Sequence, residues 1–145
     1  NELMEQINLQ VMEMVRGGLM VELPLDPQKN DGAIIQYLKN TLDCFEKNQE
    51  IFKVMVRSNN AFYHMVQQAI RDGIVDSTLA RGIREGKEQA LEVYAEYIAA
   101  GTTAVVFTFL SEKWSLDKKS LLSLLADMDI PSSYVIIDRV LAKGG

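Results

Sequence analysis

Few residues in this chain could do chemistry, and their spacing argues against most reactions. His64 is the only histidine, and no serine, cysteine or aspartate neighbours it in a nucleophile motif. Cys44 lies mid-helix beside Phe45, where a thiol is usually structural and inert. Glu88, Glu92 and Glu96 could be taken for a carboxylate cluster on a metal, but a di-metal bundle wants Glu-x-x-His pairs and the sequence has none. Their four-residue spacing instead makes one solvated helix face. Gly82 to Gly86 follows no strand and has no phosphate-loop pattern. The expectation is a protein that is not an enzyme, with no metal site and no cofactor.

Binding is the better-supported class. Met12, Leu38, Phe45, Phe52, Met55, Phe62, Tyr94 and Ile98 fall on the inward faces of different helices. Aromatic and methionine side chains can line an apolar pocket, because methionine adapts to irregular shapes. The plainer alternative is that they fill the core, as apolar helix faces usually do. His64, Tyr63 and Asn59 sit near one end of this set and could add polar contacts.

The stretch from Glu85 to Met128 must position much of this. No charge occurs between Glu96 and Glu112, and no proline interrupts the segment. Wound as a helix, Leu91, Tyr94, Ala95, Ile98 and Thr102 share one face, which Val105, Val106 and Phe109 continue. Val93, Tyr97, Ala100, Ala104, Thr108 and Ser111 form a second face of apolar and small residues. Two such faces need two partners: the chain's own core, and most simply a second copy of the chain. A membrane span is the rival, but the uncharged run is shorter than the roughly 20 residues a bilayer requires. Ser115 is expected to cap a shorter helix, with Asp117 in its first turn and Leu121, Leu124, Leu125 and Met128 at i, i+3, i+4 and i+7. A long and a short helix of this kind make half of a four-helix bundle, which a two-fold axis completes.

At 145 residues, with 48% hydrophobic and 24% charged residues, the chain fits one soluble domain with a sizeable core. Three prolines and no long alternation of β-branched residues indicate an all-α fold. A net charge of -5 without a basic block argues against these residues gripping a phosphate backbone. The single cysteine excludes an intramolecular disulfide and suits a reducing cytosol, so a cytoplasmic location is expected. No signal or transit sequence is visible, and an opening at Asn1 within a helical pattern suggests a piece of a longer chain.

In order, Leu3, Met4, Ile7, Val11, Met14 and Val15 give a helix ending at Gly17-Gly18, and a loop runs to Asn30. Asn30 or Asp31 caps a helix with Ile34, Leu38, Leu42 and Phe45 inside. The chain turns near Asn48, and Ile51, Phe52, Met55 and Val56 make a short helix broken at Arg57 to Asn60. Phe62, Met65, Val66, Ala69 and Ile70 carry a pattern to Gly73, after which Asp76 or Ser77 starts a polar helix through Leu79 and Ile83. Ile130-Pro131 is expected to end regular structure. Residues 1–130 then form the domain, and 131–145 a C-terminal extension holding at most a short helix capped by Ser132 or Ser133 and a tail fraying at Gly144-Gly145.

Three stretches together resemble the TetR family of bacterial transcriptional regulators. Asn1-Glu2-Leu3-Met4-Glu5-Gln6-Ile7 looks like the start of the family's fourth helix. Tyr37-Leu38 through Phe45-Glu46-Lys47-Asn48-Gln49-Glu50-Ile51-Phe52 is similar to a pattern of its regulatory domain. Tyr97-Ile98-Ala99-Ala100-Gly101, the apolar run to Trp114, then Ser115 and a leucine-rich helix look like its two dimerisation helices. The resemblance covers residues 1 to about 128 and departs from the family in lacking the N-terminal helix-turn-helix. It implies an effector-sensing and dimerisation domain, with the eight inward residues above around a small apolar effector. Tyr97, Ala100, Gly101, Ala104, Thr108, Ser111, Trp114, Leu121, Leu125 and Met128 would meet the second copy of a homodimer. Operator DNA would be read by the missing domain, and no membrane partner is implied. The alternative is a helical interaction module that answers to a protein partner and not to a small molecule.

Overall fold

Asn30 begins the first helix, α1 (Asp31–Lys47), because its side-chain oxygen accepts the Ala33 N–H at 3.3 Å and Asp31 sits favourably against the helix dipole. In this computed structural model residues 24–58 and 60–142 are described, with scattered positions of 2–13 that are helical. The expected pattern of Met4, Ile7, Val11, Met14 and Val15, the ending at Gly17-Gly18, Met12, Asn59 and the tail Gly144-Gly145 lie outside the described residues. Helix α1 buries Ile34, Leu38, Thr41, Leu42 and Phe45, a stripe at helical spacing. It ends at Asn48, whose backbone N–H and side-chain amide both donate to the Cys44 carbonyl. Helix α2 (Gln49–Ser58) then carries Phe52 and Met55 inward.

Helix α3 (Asn60–Arg81) is continuous. The expected stop at Gly73 and restart at Asp76 or Ser77 do not occur. Glycine inside a helix costs about 1 kcal/mol, and burial of Ala69, Ile70, Ile74 and Thr78 on either side of it outweighs that. The Thr78 hydroxyl is satisfied by donating to the Ile74 carbonyl at 2.6 Å. Ile83, expected inside a helix, sits in the turn that follows. Gly82 (φ +95) and Gly86 (φ +78) allow that turn, since both lie where side chains are disfavoured.

Helix α4 (Glu88–Leu110) lies along α3, and helix α5 (Lys118–Arg139) lies along α1. The cap of α5 is Asp117, which accepts the Ser120 N–H at 2.7 Å; Ser115 does not cap it. With 22 residues against 23 in α4, α5 is not the short helix expected. It runs through Pro131, so the ending at Ile130-Pro131 and a separate extension from 131 are both corrected. Proline removes only the bond to the carbonyl of exposed Asp127, which water can reach. Beyond it Ser133, Ile136 and Ile137 are buried and hold the helix on the core.

The chain end is tied down as well. Leu141 pairs antiparallel with Ile83, the Arg84 N–H donates to Val140 O at 2.8 Å, and Ala142 N–H donates to Gly82 O at 3.1 Å. Arg84 Nε adds a bond to Leu141 O at 2.9 Å. At the other end Tyr134 donates to Lys29 O at 2.8 Å, and Lys118 pairs with Asp43 and Glu46 of α1. Among the described residues the architecture is five helices and no strand beyond that single bridge, an all-α bundle as the sequence indicated.

Candidate functional site

Of the eight residues expected around an effector, Met12 lies outside the described residues, and the structure separates the other seven. Phe45, Phe52 and Phe62 are wholly buried and stack in a ring cluster with Phe107, at centroid distances from 4.9 Å (Phe45–Phe52) to 6.4 Å (Phe52–Phe107). Met55 is buried near them. These four act as core, filled by their own rings. Phe52 and Phe107 also reach the floor of a surface cleft of about 200 Å³, whose mouth carries Lys53 and Glu112 paired at 3.5 Å.

Leu38, Tyr94 and Ile98 do come together, in a different place. They line a small, partly open chamber between α1, α3, α4 and α5, with Ile34, Ile70 and Ile74 completing its apolar wall. Its polar side is Tyr37, Thr41, Thr102, Asp129 and Ser133. The free volume is about 30 Å³, room for about one water molecule. The Tyr94 and Ser133 hydroxyls lie 3.4 Å apart. Burial raises the pKa of both tyrosines to about 12, with the Asp129 carboxylate adding to the rise. Asp129 is itself pushed up from 3.8 to about 6, and burial is the cause. No described residue gives its carboxyl a hydrogen bond or an ion pair.

Sequence reasoning misses Asp129, Tyr37 and Ser133, although a signal exists. Leu121, Leu125, Asp129, Ser133 and Ile136 recur every three or four residues, so Asp129 belongs to the inner stripe of α5. Ending the helix at Pro131 hid that stripe.

The second face of α4 is where the outward chemistry lies. Tyr97 is 77% exposed and Val93 70%, while Ala100, Gly101, Ala104 and Ser111 are exposed and Thr108 is half-buried. A Cβ built on Gly101 meets nothing within 4 Å, so this side of the helix is open to close approach. Trp114, Leu124 and Met128 are exposed alongside. With Val105 they border an open groove of about 760 Å³ between α4 and α5. Leu121 and Leu125, expected at the interface, are instead buried in the chain's own core; Leu124 and Met128, each three residues further on and so about 60° short of a full turn, are the outward pair. By length and composition α4 and α5 could each cross a membrane, with mean hydropathy of 1.4 and 1.3 in their most apolar windows. Yet α5 holds Asp127 and Asp129 at mid-length, which lipid would accommodate only at high cost.

No protein-family model matches this chain, and no curated protein sequence or solved structure is significantly similar to it. The geometry therefore has to speak for the function.

Of the reactive candidates, Cys44 is half-buried with its thiol pushed up by that burial, and His64 is exposed with its ring edge-on to Tyr63. Glu88, Glu92 and Glu96 are exposed, and Glu96 pairs with Arg71. Among the described residues no group of three or more histidines, cysteines and acids could hold a metal ion.

Proposed function

We propose that this chain is an effector-sensing and dimerisation domain of a TetR-like transcriptional regulator. Operator DNA would be read by a helix-turn-helix that these residues do not include. The observation that carries the reading is the open face of α4, where Val93, Tyr97, Ala100, Gly101 and Ala104 stand in solvent beside the groove of Trp114, Leu124 and Met128. Contiguous apolar surface of this kind marks a protein contact. A second copy related by a two-fold axis would cover it with the same face and complete a four-helix arrangement. An effector in the chamber between α1, α3, α4 and α5 would press on α4 and α5 from the inside, and these are the two helices that carry the interface. Differential affinity for two spacings of the dimer would then shift the regulator between states.

Sedimentation tests this directly. The chain should run as a dimer at micromolar concentration, and Ala104→Arg should weaken that dimer by about 100-fold or more, because an unpaired guanidinium would be buried at the contact. The variant should keep its helix content, since Ala104 is exposed in the single chain. A monomeric parent chain overturns the reading. A second reading is a module answering to a protein, favoured by the small size of the chamber. A thermal-shift screen in which no small molecule stabilises the dimer would support it.

A further inference from the structure

We propose that two copies of this chain pair with their α4 helices antiparallel and crossing at Gly101, so that Tyr97 of each fills the other's groove between α4 and α5. The proposal rests on the dimerisation reading above and adds to it an orientation, a register and an anchoring residue. The exposed face of α4 is uneven along its length. Its first half projects large side chains, Val93 and Tyr97, which are 70% and 77% exposed. Its middle and second half carry only Ala100, Gly101 and Ala104 in solvent. Beside that second half the surface is hollow: Val105 forms the α4 wall of the groove of about 760 Å³, with Trp114, Leu124 and Met128 around it. One copy thus offers a projection and a hollow on the same face, on either side of Gly101.

A two-fold axis perpendicular to α4 matches the two. Tyr97 precedes Gly101 by as many residues as Val105 follows it, so an antiparallel crossing at Gly101 sets Tyr97 of one copy against Val105 of the other. Parallel pairing would instead press Tyr97 on Tyr97 and leave both grooves empty. The crossing point suits close approach, since a Cβ built on Gly101 meets nothing within 4 Å. Electrostatics favour the same orientation. Glu88, Glu92 and Glu96 flank the first half of α4, and no charge follows before Glu112. Antiparallel helices keep the two acidic sets at opposite ends of the dimer, whereas parallel helices would line one set up with the other. They also oppose the helix dipoles and turn Lys113, which lines the groove, toward the acidic end of the second copy's α4. Tyrosine in a desolvated hollow is the kind of residue that carries much of an interface's affinity.

Cross-linking of the full chain under a mild oxidant tests the register. Gly101→Cys should give a covalent dimer, because a disulfide needs Cα atoms within about 7 Å and this position lies on the axis. Val93→Cys should not, since two such thiols would stand about 24 Å apart along the helices at about 1.5 Å per residue. The parent chain is the control, its one thiol at Cys44 being half-buried. Where a side chain at Gly101 itself weakens the dimer, Ala100→Cys takes its place. Tyr97→Ala should weaken the dimer about 10-fold or more in sedimentation while helix content stays unchanged. Val93→Cys cross-linking as readily as Gly101→Cys overturns the orientation. A dimer in which neither Gly101→Cys nor Ala100→Cys cross-links overturns the register, and one indifferent to Tyr97→Ala overturns the anchor. All three results leave dimerisation standing; a monomeric parent chain overturns that reading itself.

Discussion

Replacing Asp129 with asparagine should make the protein more stable at neutral pH, because it removes a charge that burial disfavours. The carboxyl ordinarily loses its proton near 3.8, but burial in the chamber raises that to about 6. The folded chain thus holds a proton that the unfolded chain has already released. Stability falls as pH rises from 3.8 to about 6, the penalty is complete above that, and below 3.8 it is absent. Each unit of displacement corresponds to about 1.4 kcal/mol, so the ionised side chain costs the folded state about 2 to 3 kcal/mol at neutral pH. Asparagine has nearly the same volume, carries no charge, and can bond to the Tyr94 or Ser133 hydroxyls. At about 3 °C per kcal/mol for a chain of this size, its melting temperature should exceed that of the parent by about 6 to 9 °C near neutrality. The gap should close as pH approaches 4. The assay is a pair of thermal or denaturant melts at fixed protein concentration across that range. A gap that does not change with pH, or an asparagine variant that is less stable at neutrality, would refute the reasoning, because it would mean that Asp129 is solvated or already paired.

Three further outcomes follow from the fold. Phe62→Ala should cost about 3 to 5 kcal/mol in denaturant unfolding, since Phe62 is wholly buried and its ring packs against those of Phe52 and Phe107. Asp117→Ala should lower the melting temperature at neutral pH by removing the acceptor for the Ser120 N–H. That difference should vanish in acid, because the same bonds hold the Asp117 carboxyl below its usual range and its contribution is lost as pH falls through that lowered value. Gly82→Ala should destabilise by about 1 to 2 kcal/mol through backbone strain alone. At φ +95 a side chain is disfavoured, yet the new Cβ would meet nothing closer than Ala142 Cβ at 4.0 Å.

Much of the fold was legible because helical periodicity is local. The stripe of Ile34, Leu38, Leu42 and Phe45 and the two faces of α4 follow from side-chain order alone, and the caps at Asn30 and Asn48 are short-range hydrogen bonds. The misreadings came from Gly73, Ser115 and Pro131, each taken as a helix boundary. At Gly73 and Pro131 the local penalty is real but smaller than the burial of residues on both sides. That burial depends on helices distant in sequence: α3 is held straight by α4, and the end of α5 by α1 and by the bridge to Ile83.

The candidate site divides the same way. The sequence by itself determined that α4 has more apolar and small surface than one core absorbs, and Val93, Tyr97, Ala100 and Ala104 do stand outside. It also determined that no nucleophile motif surrounds His64 or Cys44. Only the tertiary structure decided which apolar residues fill space and which border a void: Phe45, Phe52 and Phe62 pack ring on ring, while Leu38, Tyr94 and Ile98 line a chamber that Asp129 of α5 also borders. Tertiary packing alone, likewise, left Leu124 and Met128 outside and drew Leu121 and Leu125 in. Periodicity fixes which residues share a face, but the direction that face points is set by the crossing of helices. That crossing depends on the fit of all their side chains at once.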